Sequence, residues 1–171
     1  MKIQKSQQKA NRREIRGMTI IADTREVNPW CFDPKFALAD KGKYYNNVTV
    51  VREKLPTGDY SLSGYEDKIA IERKGSLTEL VGNLTSGRER FERELARSLS
   101  FSYFYIVIES DFSKLMTKHY RSQMNAHAAV QSVAALSQRY NVPFLFAGNR
   151  MAAEYLTWSL LYQFLRHTST D

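Results

Sequence analysis

The chain of 171 residues contains one cysteine, Cys31. No internal disulfide framework can hold it, and a zinc site built on paired cysteines is excluded. It lacks any apolar run near the roughly 18 residues that a membrane-spanning helix needs. Its basic start leads into the polar stretch Asp23 to Asn28 and not into the apolar region of a signal peptide. Together these absences predict a soluble protein of a reducing interior, with no membrane partner: cytoplasmic and nucleoid-associated, or nuclear in a eukaryote. Negative charge is also scarce, 18 acids against 25 lysines and arginines for a net +7. Such an excess predicts a polyanionic partner, and by itself it fits either nucleic acid or an anionic membrane surface.

The excess is unevenly placed. Residues 1–16 carry Lys2, Lys5, Lys9, Arg12, Arg13 and Arg16 against the single acid Glu14. With almost no apolar content before Gly17, residues 1–17 are expected to form a basic flexible arm. The remainder, 18–171, has enough of the chain's 43% apolar content for a single domain with its own core.

Period-two and buried runs predict strands at Met18–Ala22, Val48–Leu55, Lys68–Lys74, Phe101–Ile108 and Pro143–Ala147. Helices are predicted after Ser76 through the stripe Leu80, Leu84, Phe91, Leu95 and Leu99, with a break near Gly82 and Gly87. Others are predicted over Tyr120–Tyr140 and Ala152–Arg166, with a short one around Phe36–Ala39. This order describes an α/β fold with a central mixed sheet flanked by helices. The last helix is apolar around most of its circumference, so it is expected to be well buried or to form a homodimer interface.

The chemistry is carried by Asp59 and, thirteen residues on, by Glu72-Arg73-Lys74 at the end of a strand. Residues two apart on a strand project from one face, so Glu72 and Lys74 point at the same place while Arg73 points away. Carboxylates are the ligands that hard cations take, and such cations assist phosphodiester hydrolysis. A lysine there can activate water or stabilise charge on the phosphate. Taken alone, an acid followed by E-x-K also fits a solvated strand with alternating charge.

Further segments narrow the choice: IADTRE at 21–26, LPTGDYSL at 55–62, IAIERK at 69–74 and ELVGNLTSGR at 79–88. In this order, over roughly Thr19–Asp111, the chain resembles the XPF/Hef-type nuclease domain of the PD-(D/E)XK superfamily. The resemblance implies a restriction-endonuclease-like core and a magnesium- or manganese-dependent endonuclease acting on branched, flapped or forked DNA in repair, recombination or phage DNA processing. It also implies that Asp59, Glu72, Lys74 and Asp23 are catalytic, with Asp59, Glu72 and Asp23 holding metal. Glu26, Arg73, Glu79, Arg88 and Glu109 are expected to support them.

Two departures stand out. The acid after E-R-K is Glu79 where the family has aspartate, and it lies one residue further on, past Gly75; it also suits a helix cap with Ser76. No segment reads as the paired helix-hairpin-helix module of the family, so a stand-alone nuclease domain is expected. The alternative is a non-catalytic DNA-binding partner subunit of a larger nuclease, which would keep the fold without the acids and lysine. Arg88, Arg90, Arg93 and Arg97 have near-helical spacing, but the glutamates among them predict a salt-bridged solvated face for all except Arg88.

Overall fold

β1 (Met18–Asp23) is buried along nearly its whole length, as a continuous apolar run demands. In the computed structural model, which describes residues 17–33 and 48–168, it lies inside a six-stranded mixed sheet of order β2-β1-β3-β4-β5-β6. The basic arm and the helix expected around Phe36–Ala39 lie outside the described residues. β2 (Val48–Glu53) runs parallel to β1 at one edge. β3 (Tyr60–Leu62) is antiparallel to both β1 and β4 (Ile69–Lys74). β5 (Tyr103–Ile108) and β6 (Phe144–Phe146) continue parallel to β4.

Alternation along β4 and β5 divides the core into two layers. Ala70, Phe104, Ile106 and Ile108 face α1 (Leu77–Leu84), α2 (Arg88–Ser98) and α4 (Ala126–Tyr140), burying Leu80, Leu84, Phe91, Leu95, Ala129 and Leu136. Ile69, Ile71 and Val107 face α5 (Arg150–Thr168) with Trp30, Phe32, Tyr60 and Trp158. The last helix therefore uses much of its apolar circumference within the chain, with Tyr155, Leu156, Leu160 and Phe164 also packed on this layer.

The expected helix break falls between Leu84 and Arg88. Gly82 stays helical, while Gly87 makes the turn: its N–H donates to Gly82 O at 2.9 Å. A Cβ at Gly87 would come within 3.2 Å of that oxygen and 3.3 Å of Asn83 Nδ2, so a side chain would displace Asn83. The predicted Tyr120–Tyr140 helix starts only at Ala126, because Asn125 caps it by accepting Ala128 N–H. A one-turn helix, α3 (Phe112–Met116), was not predicted; five residues give too short a window for helical periodicity.

Candidate active site

Gly58 sets the first element of the site. Its φ of +77° is open to glycine, and a Cβ there would press to 3.1 Å on Ala70 Cβ. This close passage lets Asp59 N–H donate to Ile71 O (2.8 Å) and Asp59 Oδ2 accept Arg73 N–H (2.8 Å). The Asp59 carboxylate is thus fixed at the end of β4.

There, as the period of two requires, Glu72 and Lys74 project together. Both are buried, and Lys74 Nζ donates to Glu72 Oε1 at 2.6 Å while lying 5.1 Å from the centroid of the Phe91 ring. Burial pushes Asp59 up to about 6, with repulsion from Glu26 and Glu94 adding to it. Burial also holds Glu72 well above the usual carboxylate range, more than Lys74 offsets, and Asp59 adds repulsion. Burial lowers the Lys74 ammonium, but Glu72 and Glu79 outweigh it and keep Lys74 above its ordinary value. Two acids and one cation therefore share a site short of positive charge.

They line a concavity of about 550 Å³ together with Arg25, Glu26, Glu79, Asn83, Arg90, Glu94 and Arg97. A larger one of about 700 Å³ lies at the other end of β4, lined by Tyr65, Tyr103, Tyr105 and Phe164. It is mainly apolar and holds none of the acids, so the chemistry belongs to the smaller cleft.

Asp23 is bound up in hydrogen bonds at the end of β1. Its Oδ1 accepts the Arg25 backbone N–H and Nε, and its Oδ2 accepts Arg25 Nη2 and Leu55 N–H, all within 2.9 Å. These donors hold the carboxyl below its usual range despite burial. With two donors on each oxygen and no part in the cleft lining, Asp23 clasps β1 to the 55–58 turn.

Arg73 and Glu109 lie on the opposite face, as alternation dictates. Arg73 Nε donates to Glu109 Oε1 (2.7 Å), and Nη1 donates to Glu26 Oε1 and Asn28 O (2.9 Å each). Trp30 Nε1 also donates to Glu109 Oε1, and Arg73 stacks over the Trp30 ring at 5.3 Å. Trp30 and Glu109 brace the cleft from behind, through Arg73 and Glu26 on its lining.

Glu79 serves the turn: Ser76 Oγ accepts its N–H (3.1 Å), and its Oε2 accepts Gly75 N–H (2.9 Å). Its Oε1 stands 3.7 Å from Lys74 Nζ. Since a glutamine oxygen accepts the Gly75 N–H equally well, Glu79→Gln is expected to lower activity less than about tenfold with Tm unchanged. Parallel turnover and melting measurements check this, and a larger loss at constant Tm would make Glu79 part of the chemistry.

Arg88 is drawn away from the acids. It pairs with Glu92 at 2.7 Å and lies off the cleft, while Glu92 also receives Arg139 and Tyr140 from α4. On this helix the arginines that line the cleft are Arg90 and Arg97, expected from sequence to be merely solvated. At about 100° per residue, Arg90, Glu94 and Arg97 fall on one flank of the buried Phe91–Leu95 stripe, with Arg88 and Glu92 on the other. The helical wheel contains that division; which flank meets the acids is not in it.

Among the described residues no group of three or more His, Cys, Asp or Glu forms a ready-made metal cage. The donor set nevertheless suits a hard cation: two oxygen ligands, buried, mutually repelling and raised in pKa.

The ERCC4 domain family model matches residues 22–157. Two solved structures share the fold: XPF from Aeropyrum pernix, 21% identical with a TM-score of 0.65 over 88% of this chain and 67% of that one, and XPF from Aeropyrum pernix in complex with DNA, 19% identical with a TM-score of 0.62 over 87% and 66%. This chain thus spans about two thirds of their length. No curated protein matches it. The expected restriction-endonuclease-like arrangement, a mixed sheet between helical layers, is the one found. No helix among the described residues is long and apolar enough to cross a membrane.

Proposed function

The chain belongs to the ERCC4 domain family, and from that premise we propose that it is a divalent-metal-dependent endonuclease that hydrolyses DNA phosphodiester bonds at branched or flapped structures. The observation that carries this reading is the Asp59–Glu72–Lys74 constellation. The buried Glu72 with Lys74 on its oxygen, and the half-buried Asp59 tied to the same strand end, line one polar cleft. A purely structural pair would gain by being replaced with apolar residues.

Asp59 and Glu72 would hold magnesium or manganese, which when bound supplies Lewis acidity at the phosphate and lowers the pKa of the attacking water. Lys74, which projects beside Glu72, would orient the attacking water or donate hydrogen bonds to the phosphate as charge builds there. Asp23 and Arg25 fix the turn that carries Asp59, and Arg73 anchors the loop that carries Glu26. The complex of the similar XPF with DNA and the basic character of the chain support DNA as the substrate.

Incubation with labelled flap, fork, splayed-arm and linear duplex DNA tests the reading. Branched substrates are expected to be cut only when magnesium or manganese is present. If no DNA is cut with either ion while branched DNA is still bound, the chain is a DNA-binding partner subunit.

The raised carboxyl of Asp59 gives a pH test with a definite sign. The folded chain keeps the proton up to about pH 6, so above that the ionised carboxylate costs stability that a bound cation restores; below it there is no charge to neutralise. Magnesium is expected to raise Tm at pH 8 and to lose that effect as pH falls through 6. An equal magnesium shift at pH 5 and pH 8 would place the cation elsewhere.

A further inference from the structure

Asn83 lies at the cleft wall, on α1. It is 8% exposed, and its Oδ1 is sealed from solvent with no hydrogen-bond partner among the described residues. A buried amide left unsatisfied costs free energy that the fold does not recover, so a bound group is the natural partner. Beside it on α2 stand Arg90 and Arg97. Both are exposed and both line the cleft. Their neighbours on the helix, Arg88 and Arg93, are paired with Glu92 and Glu89, whereas Arg90 and Arg97 enter no ion pair among the described residues.

We propose that Asn83, Arg90 and Arg97 form a phosphate-binding wall that seats one DNA strand along α2, with the scissile bond at Asp59 and Glu72. This rests on the nuclease reading above. Arg90 and Arg97 are seven residues apart, about 10 Å along the helix axis. Phosphates recur about every 3.4 Å of axis on one strand, so the two guanidiniums address phosphates about three nucleotides apart. Glu94 lies between them on the same flank and repels a phosphate seated midway, which fixes the register of the strand. Asn83 reaches the same backbone from α1, held in place by the close approach of Gly87. Such contacts position the substrate and carry no sequence information.

The test uses the full chain with a labelled flap duplex. Binding is measured in calcium over a salt series, and turnover in magnesium. Arg90→Gln with Arg97→Gln is expected to weaken binding at least tenfold. Loss of two phosphate contacts should flatten the logarithmic salt slope by about 1.4 to 1.8. KM should rise while kcat at saturating DNA stays within about threefold, because uniform binding is what is lost. The lysine pair R90K/R97K should recover most of the slope, and Arg93→Gln, which removes one cation from the same helix but none from the wall, should leave affinity and slope as they were. Asn83→Leu, near in volume and without polar atoms, should raise KM further with Tm unchanged or raised.

If the glutamine pair keeps parent affinity and slope while the parent cuts DNA, the wall is overturned and the nuclease reading survives. If Arg93→Gln weakens binding as much as the pair does, the effect is one of general charge and the wall is again overturned. If the parent neither binds nor cuts any of the DNA structures, both readings fall.

Discussion

Asp59→Asn is expected to lower magnesium-dependent cleavage by on the order of a thousandfold, because a lost metal ligand removes several kcal/mol of transition-state stabilisation at about 1.4 kcal/mol per tenfold. The same substitution is expected to make the metal-free protein more stable. The asparagine oxygen still accepts Arg73 N–H, while the buried charge disappears. Because the carboxyl of Asp59 is raised to about 6 in the folded chain, ionising it above that pH favours the unfolded state. At pH 8 the variant should therefore gain about 1 to 3 kcal/mol. The gain should shrink to about half by pH 5 and vanish only below about pH 4, where the carboxyl is protonated in the unfolded chain as well.

Glu72→Gln should lose as much activity. It should not gain stability in the same way, since Lys74 loses the carboxylate that holds it at 2.6 Å. Single-turnover cleavage and metal-free melting at the two pH values decide the matter. Cleavage within about tenfold of the parent in either variant would remove the residue from the chemistry. A D59N protein less stable than the parent at pH 8 would mean that Asp59 holds the fold together and does not strain it.

The second large effect is on stability, at Arg73. Its guanidinium is 9% exposed and serves Glu109, Glu26 and a backbone carbonyl at once. Arg73→Met would leave two carboxylates facing a buried space without their main cation. Breaking such a pair from one side costs about 3 to 5 kcal/mol, which at about 2 to 4 °C per kcal/mol is a fall in Tm on the order of 10 °C. Arg73→Lys should lose less but not little, because an ammonium cannot span both carboxylates as the guanidinium fork does. Adding Glu109→Leu to Arg73→Met should recover part of the loss by removing an unpaired charge. If Arg73→Met melts within about 2 °C of the parent, the network contributes almost nothing to stability.

These predictions rest unequally on sequence and on structure. Sequence alone determined the strands and the strand-end motif, since β4 alternates strictly over IAIERK. That alternation places Glu72 and Lys74 on one face and Arg73 on the other, as found. Helix limits followed where a cap or a break was local: Ser76 starts α1, and Gly87 interrupts the stripe. These are effects of residues within one turn or one pleat, so the order of residues contains them.

The remainder depends on which face meets which element. Asp23 reads as an acid of the first motif, yet Arg25 and the Leu55 amide, thirty-two residues away, occupy its oxygens. Arg88 and Arg90 are equivalent as letters on a charged helix. Packing of α4 against α2 brings Arg139 and Tyr140 to Glu92 and so ties the Arg88 flank into a structural network, while the opposite flank turns to the acids with Arg90 and Arg97. A buried charge is defined by its partners, and the partners here are brought together by the sheet order and the helix layers, which no local pattern specifies.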